Sequence, residues 1–396
     1  MSILRKQRMP SPTTHTEPPR RNMRPSIVAI SLFFASLPAS LCLPEKICGQ
    51  THVDPRSGAL VQQNSPAETE MRSTKELQAG TSLTRNGELQ EAIPHLLSAR
   101  AAGADSYAAG VNLAICYFGT GDYKQAISEL ESLRSIGKGT TVVFNLLAQA
   151  SLADGQPQAA WNSFLAAVAL APDDEKVYAY FADACTDAHN IEMGLRAMSF
   201  GLSHLPDSAR LHYERGLFLA QLDRLDEARP EWDRAAQLAP DTYIGTQALV
   251  QRDLYDGKFK QAIERVLAAI SAGNRDYQTL SLLGLVLLRS GALPGDQGFA
   301  QAQAVLEESA HTNPEYSPTQ IALGRIYVLE ERYREAVEHL EIGRRLEPRN
   351  PTVYSNLARA YQSLGDLAKA HEMREQFARL LAHNGASRES SGSTSP

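Results

Sequence analysis

Apolar and small residues recur along this chain with a helical beat, and the beat itself recurs. The phrase Gly121-Asp122-Tyr123-Lys124-Gln125-Ala126-Ile127 returns as Gly87-Glu88-Leu89-Gln90-Glu91-Ala92-Ile93 and as Gly257-Lys258-Phe259-Lys260-Gln261-Ala262-Ile263. Alanines fall at Ala92, Ala126, Ala160, Ala228 and Ala262, with Gly194 in the missing place, a step of 34 residues. After one step of 40 the series resumes at Ala302, Ala336 and Ala370. A second series of small residues runs ahead of it: Gly80, Ala114, Ala148, Ala182, Gly216, Gly284, Gly324 and Ala358, with Val250 the exception. Two apolar stripes per step, each carrying one small residue, predict antiparallel helix pairs whose backbones approach closely. The frames are six of 34 residues over 73–276, an expanded one of 40 over 277–316, and two of 34 over 317–384.

Local signals refine the boundaries. Ser65-Pro66-Ala67-Glu68 reads as a capped helix start, so the first helix begins before its frame and runs to about Asn86. Gly121 suits the left-handed residue that ends a helix, and Asp122 with Gln125 is expected to cap the next one. Prolines close several frames, at Pro172, Pro206, Pro240, Pro314 and Pro348. Pro94 and Pro230 fall inside second helices and predict a kink or a late start. The extra residues of the expanded frame, Gly291 to Phe299, read as a loop, either a tolerated insertion or a partner contact anchored by Phe299. Arg374, where earlier frames carry Leu130, Phe164, Trp232 or Leu340, marks a terminal unit whose face meets solvent. Residues 385–396 are expected to form a disordered tail.

These frames resemble tetratricopeptide repeats. Tyr107–Thr140 carries Leu113-Ala114, Tyr117, Gly121, Tyr123, Ala126 and Leu130 in the family's slots, and Ser317–Asn350 carries Leu323-Gly324, Tyr327, Tyr333, Ala336 and Pro348. Glu76 and Asp253 depart from it, each where the family favours an apolar or aromatic side chain, and His189 departs at a turn. The resemblance implies an all-α, right-handed solenoid of about nine repeats whose inner wall, lined by first helices, receives protein partners. The polar wall positions are Asn112, Asn145, Gln149, Lys176, Tyr180, Asp183, Tyr213, Glu214, Gln247, Gln251, Arg325, Asn356 and Arg359. Asn and Gln can bond both faces of a peptide backbone, and Tyr180 and Tyr213 are candidate aromatic anchors. The carboxylate clamp of some family cochaperones is absent: Asn112 fits its middle place, but Leu77, Thr81, Val142 and Leu146 flank it.

Net charge of −6 gives no basic surface of the kind that nucleic acid needs. No catalytic constellation emerges. His371-Glu372-Met373-Arg374-Glu375 lacks the second histidine of a zinc-protease helix, and Gly137-Lys138-Gly139-Thr140 lacks the upstream glycine and preceding strand of a phosphate loop. The reading is a noncatalytic scaffold without cofactor or metal; the alternatives are a structural subunit of an envelope assembly or an accessory region presenting substrates to a separate enzyme. Cys116 and Cys185 are expected to be small buried hydrophobes rather than a disulfide pair.

Residues 1–43, basic and then uncharged from 26 onward, read as a secretory signal or N-terminal anchor, with Met1 or Met23 as the start. Residues 44–72 follow as a linker leading into the first helix. The protein is therefore expected outside the cytoplasm, periplasmic or secreted, touching membrane only if that segment stays uncleaved.

Overall fold

The computed structural model describes the backbone of residues 66–392 and the surroundings of side chains 67–382. Eighteen α-helices and no strand occur among the described residues. The first pair is α1 (Pro66–Asn86) and α2 (Leu89–Ala101), the second α3 (Ser106–Gly119) and α4 (Tyr123–Ser135), the third α5 (Thr141–Ala153) and α6 (Pro157–Leu170). Next come α7 (Glu175–Asp187) with α8 (Ile191–His204), α9 (Ala209–Gln221) with α10 (Leu225–Leu238), and α11 (Tyr243–Tyr255) with α12 (Phe259–Ser271). The last pairs are α13 (Tyr277–Arg289) with α14 (Gln297–Thr312), α15 (Ser317–Leu329) with α16 (Tyr333–Leu346), and α17 (Pro351–Ser363) with α18 (Leu367–Gly392). The chain is an all-helical repeat solenoid.

Small residues set the pairing, as expected. A methyl group added at Gly324 would stand 2.4 Å from Leu340 Cγ, one at Gly284 2.5 Å from Leu306 Cγ, and one at Gly80 2.6 Å from Leu96 Cγ. Those leucines lie on the partner helix and are fully buried. Each glycine therefore makes room for one large side chain, and burial of that side chain holds the pair. Successive first helices also touch: α1 meets α3, α3 meets α5, and so on to α15 and α17. Second helices make no comparable contacts with one another. The first helices thus crowd together on the inner side of a curve.

The turns differ from expectation in an instructive way. Asp122 opens α4, yet its side chain makes no capping bond. Its backbone does the work: the Asp122 N–H donates to Tyr117 O at 2.7 Å, closing α3, and its carbonyl accepts from Ala126 N–H at 3.1 Å, opening α4. With both helix ends satisfied by one peptide, a side-chain cap is redundant. Gly121 supplies the left-handed φ of 85° that this geometry needs. Most turns between pairs do use a side chain, as at Asp105, Thr140, Asp174 and Ser208, though Tyr316 does not, and within a pair Asn190 caps through its side chain as well. Prolines ending the frames gain a further hold, because the residue six positions on reaches back to the proline carbonyl. Tyr178 donates to Pro172 O at 2.7 Å, Gln320 to Pro314 O at 2.7 Å and Tyr354 to Pro348 O at 2.6 Å.

Among the described residues, three turns place a non-glycine residue in the left-handed region: His189, Asp223 and Glu331, the last at φ 61°. Glu331→Gly should stabilise the protein by about 0.5–1 kcal/mol, because relief of the Cβ clash outweighs the unfolded-state entropy of glycine. A rise in the urea midpoint at unchanged slope is the expected reading; a fall would show that the glutamate side chain matters more than its backbone.

Other departures have local causes. α2 and α10 run unbroken through Pro94 and Pro230, with no late start. α1 begins at Pro66; Ser65, the expected cap, lies outside the described residues, as do the signal, the linker start and Cys42 and Cys48. Glu76 is accommodated by His95, whose Nδ1 lies 2.7 Å from its carboxylate. Asp253 is fully buried and is paired with Arg265, with Arg252 3.5 Å from its second oxygen. Cys116 and Cys185 are buried free thiols. In the expanded pair the extra residues form a turn in which Asp296 accepts from Leu293 N–H at 2.9 Å. Phe299 is not an outward anchor: at 2% exposure in the first turn of α14 it belongs to the core, leaving Leu293 at the loop's exposed tip. α18 continues through Gly392 into the segment expected to be a disordered tail, since extending an existing helix costs far less than starting one.

Candidate functional site

The wall formed by first helices is the candidate site, and its positions are unequal. Lys176, Arg325 and Arg359 are exposed. Asn112, Asn145, Gln149, Tyr180, Asp183, Glu214, Gln251 and Asn356 are half-buried. Tyr213 and Gln247 are buried, at 4% and 9% exposure. Tyr213 is therefore core rather than a free aromatic anchor. It packs in the same cluster as Trp232 and Phe218, and burial pushes its hydroxyl well above the usual tyrosine range. Asn112 and Asn356 turn their NH2 groups back to Ala108 O and Thr352 O, both at 2.8 Å. That uses one N–H of each amide and leaves its second N–H and its oxygen to face a partner.

The middle of the wall is acidic and enclosed. Asp183 and Asp187 lie one helical turn apart on α7, and Glu214 lies on the neighbouring α9. Burial raises the Asp183 carboxyl well above its ordinary range, repulsion from Glu214 adds to this, and Arg210 opposes it. Glu214 is raised for the same first reason, with Arg210 again opposing. Burial pushes Asp187 up to about 6 against the pull of Arg349. Glu347, 4% exposed, is pushed up to about 7 by burial despite a 2.7 Å hydrogen bond from Asn350.

Arg349 and Glu347 come from the corner between α16 and α17, four pairs further along the chain than Asp187. The sequence gives no signal for this approach. The Arg349 guanidinium lies 4.0 Å from Asp187, 5.0 Å from the ring centre of Phe118 and 5.4 Å from that of Tyr123. Beside it, a methyl group at Gly87 would stand 3.3 Å from Arg345 Cα. The eighth pair thus reaches the first, second and fourth, and part of the inner wall is filled by the chain itself.

The described residues contain no group of three or more His, Cys, Asp or Glu placed to hold a metal ion, and no helix long and apolar enough to cross a membrane.

Sequence comparison supports the class that the fold defines. Two family models, both described as tetratricopeptide repeat, match residues 83–150 and residues 187–242 with 321–372. These matches support placing the chain in the tetratricopeptide-repeat family. Anaphase-promoting complex subunit 7 of Dictyostelium discoideum is 28% identical over 152 residues, which make up 38% of this chain and 25% of that protein. Among solved structures, a tetratricopeptide repeat protein from Parabacteroides merdae aligns at 16% identity and TM-score 0.43, over 64% of this chain and 98% of that one. Yeast Tom70 aligns at 13% identity and TM-score 0.41, over 82% and 96%.

Proposed function

We propose that this chain is a noncatalytic scaffold that docks a peptide, loop or helix of a partner protein along the first-helix wall, outside the cytoplasm. The observation that carries the reading is the pair Arg325 and Arg359. They occupy the same place on α15 and α17, are exposed, and take part in none of the described ion pairs. Two unneutralised guanidiniums one repeat apart fit a partner segment bearing carboxylates, which arginine holds in bidentate fashion. The wall's amide side chains add contacts that do not depend on the partner's sequence.

In-cell cross-linking with mass spectrometry identifies the partner and the residues that it touches. Its affinity is then measured for Arg325→Glu/Arg359→Glu and for Lys260→Glu, which lies on a second helix and is 92% exposed. The wall variant should bind roughly tenfold or more weakly, while the Lys260 variant is unchanged. Weakening by Lys260→Glu alone would place docking on the outer face. That outcome would favour the second reading, a structural subunit of an assembly, to which the partial match with an anaphase-promoting complex subunit lends support. Export is tested separately, by sequencing the N-terminus of the mature protein from fractionated cells.

A further inference from the structure

We infer that the array closes on itself through a releasable latch, in which the Arg345–Arg349 corner sits on the first, second and fourth pairs as an internal occupant of the inner wall. The closure stands on geometry. A Cβ at Gly87 would lie 3.1 Å from Arg345 Cγ and 3.5 Å from Arg345 Cβ, so the first turn and the end of α16 are in van der Waals contact. Arg349 adds the second and fourth pairs through Phe118, Tyr123 and Asp187.

The seat is built to let go. Arg349 is largely enclosed, with 11% of its side chain exposed, yet among the described residues its one ion pair spans 4.0 Å and its Nε has no hydrogen-bond partner. An enclosed cation ordinarily makes several short bonds, and one held so loosely returns little for its lost hydration. The latch is therefore worth far less than the burial that holds each helix pair, and it can open while the pairs stay folded.

Charge sets the direction of release. The groups facing the corner are Asp183 and Asp187 on α7, Arg210 and Glu214 on α9, and Tyr123 on α4, with Glu347 and Arg349 on the corner itself. Closing buries Asp187 and Glu347 beside one another, and each resists ionisation more than it would in water. Closing therefore takes up protons, and by linkage acid favours the closed form. The closed form loses ground as pH rises from about 4 through 6 for Asp187, and through 7 for Glu347. That opening controls docking rests on the scaffold reading; the closure itself does not.

The test needs no partner. In the full chain with its four native cysteines replaced, Gly87→Cys/Arg345→Cys places two Cβ atoms at a separation compatible with a disulfide. A disulfide should form readily in this background at fixed pH. Adding Arg349→Ala should slow it by roughly tenfold, and Arg349→Lys should restore part of the rate. Small-angle scattering of the cysteine-free chain should give a smaller radius of gyration at about pH 5.5 than at about pH 8, with helix content by circular dichroism unchanged. Failure of the disulfide to form in the helical chain would overturn the closure. Equal trapping rates with and without Arg349, or a radius that does not change with pH, would overturn the latch. Closure with a docking wall that proves inert would instead count against the scaffold reading alone.

Discussion

Arg265→Met should destabilise the protein by about 3–5 kcal/mol, far more than loss of a surface ion pair. Arg265 leans from α12 onto Asp253, whose side chain has 0% exposure at the centre of the sixth pair. Removing the guanidinium leaves a buried carboxylate with only Arg252, 3.5 Å away and itself paired with Asp233. Desolvation of that carboxylate, and not the strength of the lost bond, sets the size of the effect. Asp253→Leu/Arg265→Met should accordingly recover most of the loss, because an apolar pair of similar volume needs no compensation. Urea unfolding of the two variants checks this. A double variant as unstable as the single one would show that the ion pair adds net stability beyond its own desolvation.

Gly216 and Trp232 should show the opposite kind of coupling. Trp232 is fully buried, stacks on Tyr255 at 5.3 Å between ring centres, and lies over Gly216. A methyl group at Gly216 would come within 2.5 Å of the indole nitrogen. A fused ring packed from both sides has no rotamer to escape to, so Gly216→Ala should cost about 1–3 kcal/mol. Trp232→Ala should cost about 3–5 kcal/mol through the cavity it leaves. The two together should cost less than their sum, since the added methyl enters vacated space and gains a better helix residue besides. Strict additivity in this double-mutant cycle would mean that the α9–α10 spacing is fixed elsewhere.

The helices were legible because each rests on local periodicity and on a small residue facing a large one, both of which the chain spells out. The cap at Asp122 was misread for a physical reason. Sequence reading credits the side chain, whereas a turn this tight satisfies both helix ends through one backbone unit. Phe299 was misplaced because the glycines and proline around it look like a loop, while the residue itself begins the buried face of α14. Tyr213 occupies a wall slot by register, yet tight coiling brings later pairs over it. Closure was illegible altogether: Arg349 and Asp187 meet only because small rotations accumulate over four pairs, and no local pattern records that sum.

An open array can gain or lose a repeat and remain the same kind of object, only longer or shorter. Here the first turn rests on the eighth pair, so the number of repeats between them is no longer free. Deleting one would leave Arg345 and Arg349 a full step short of their seats. Contact between the first and eighth pairs makes the copy number between them a structural constant, and a lineage that duplicates or drops a unit in this stretch must rebuild the junction or remain unlatched.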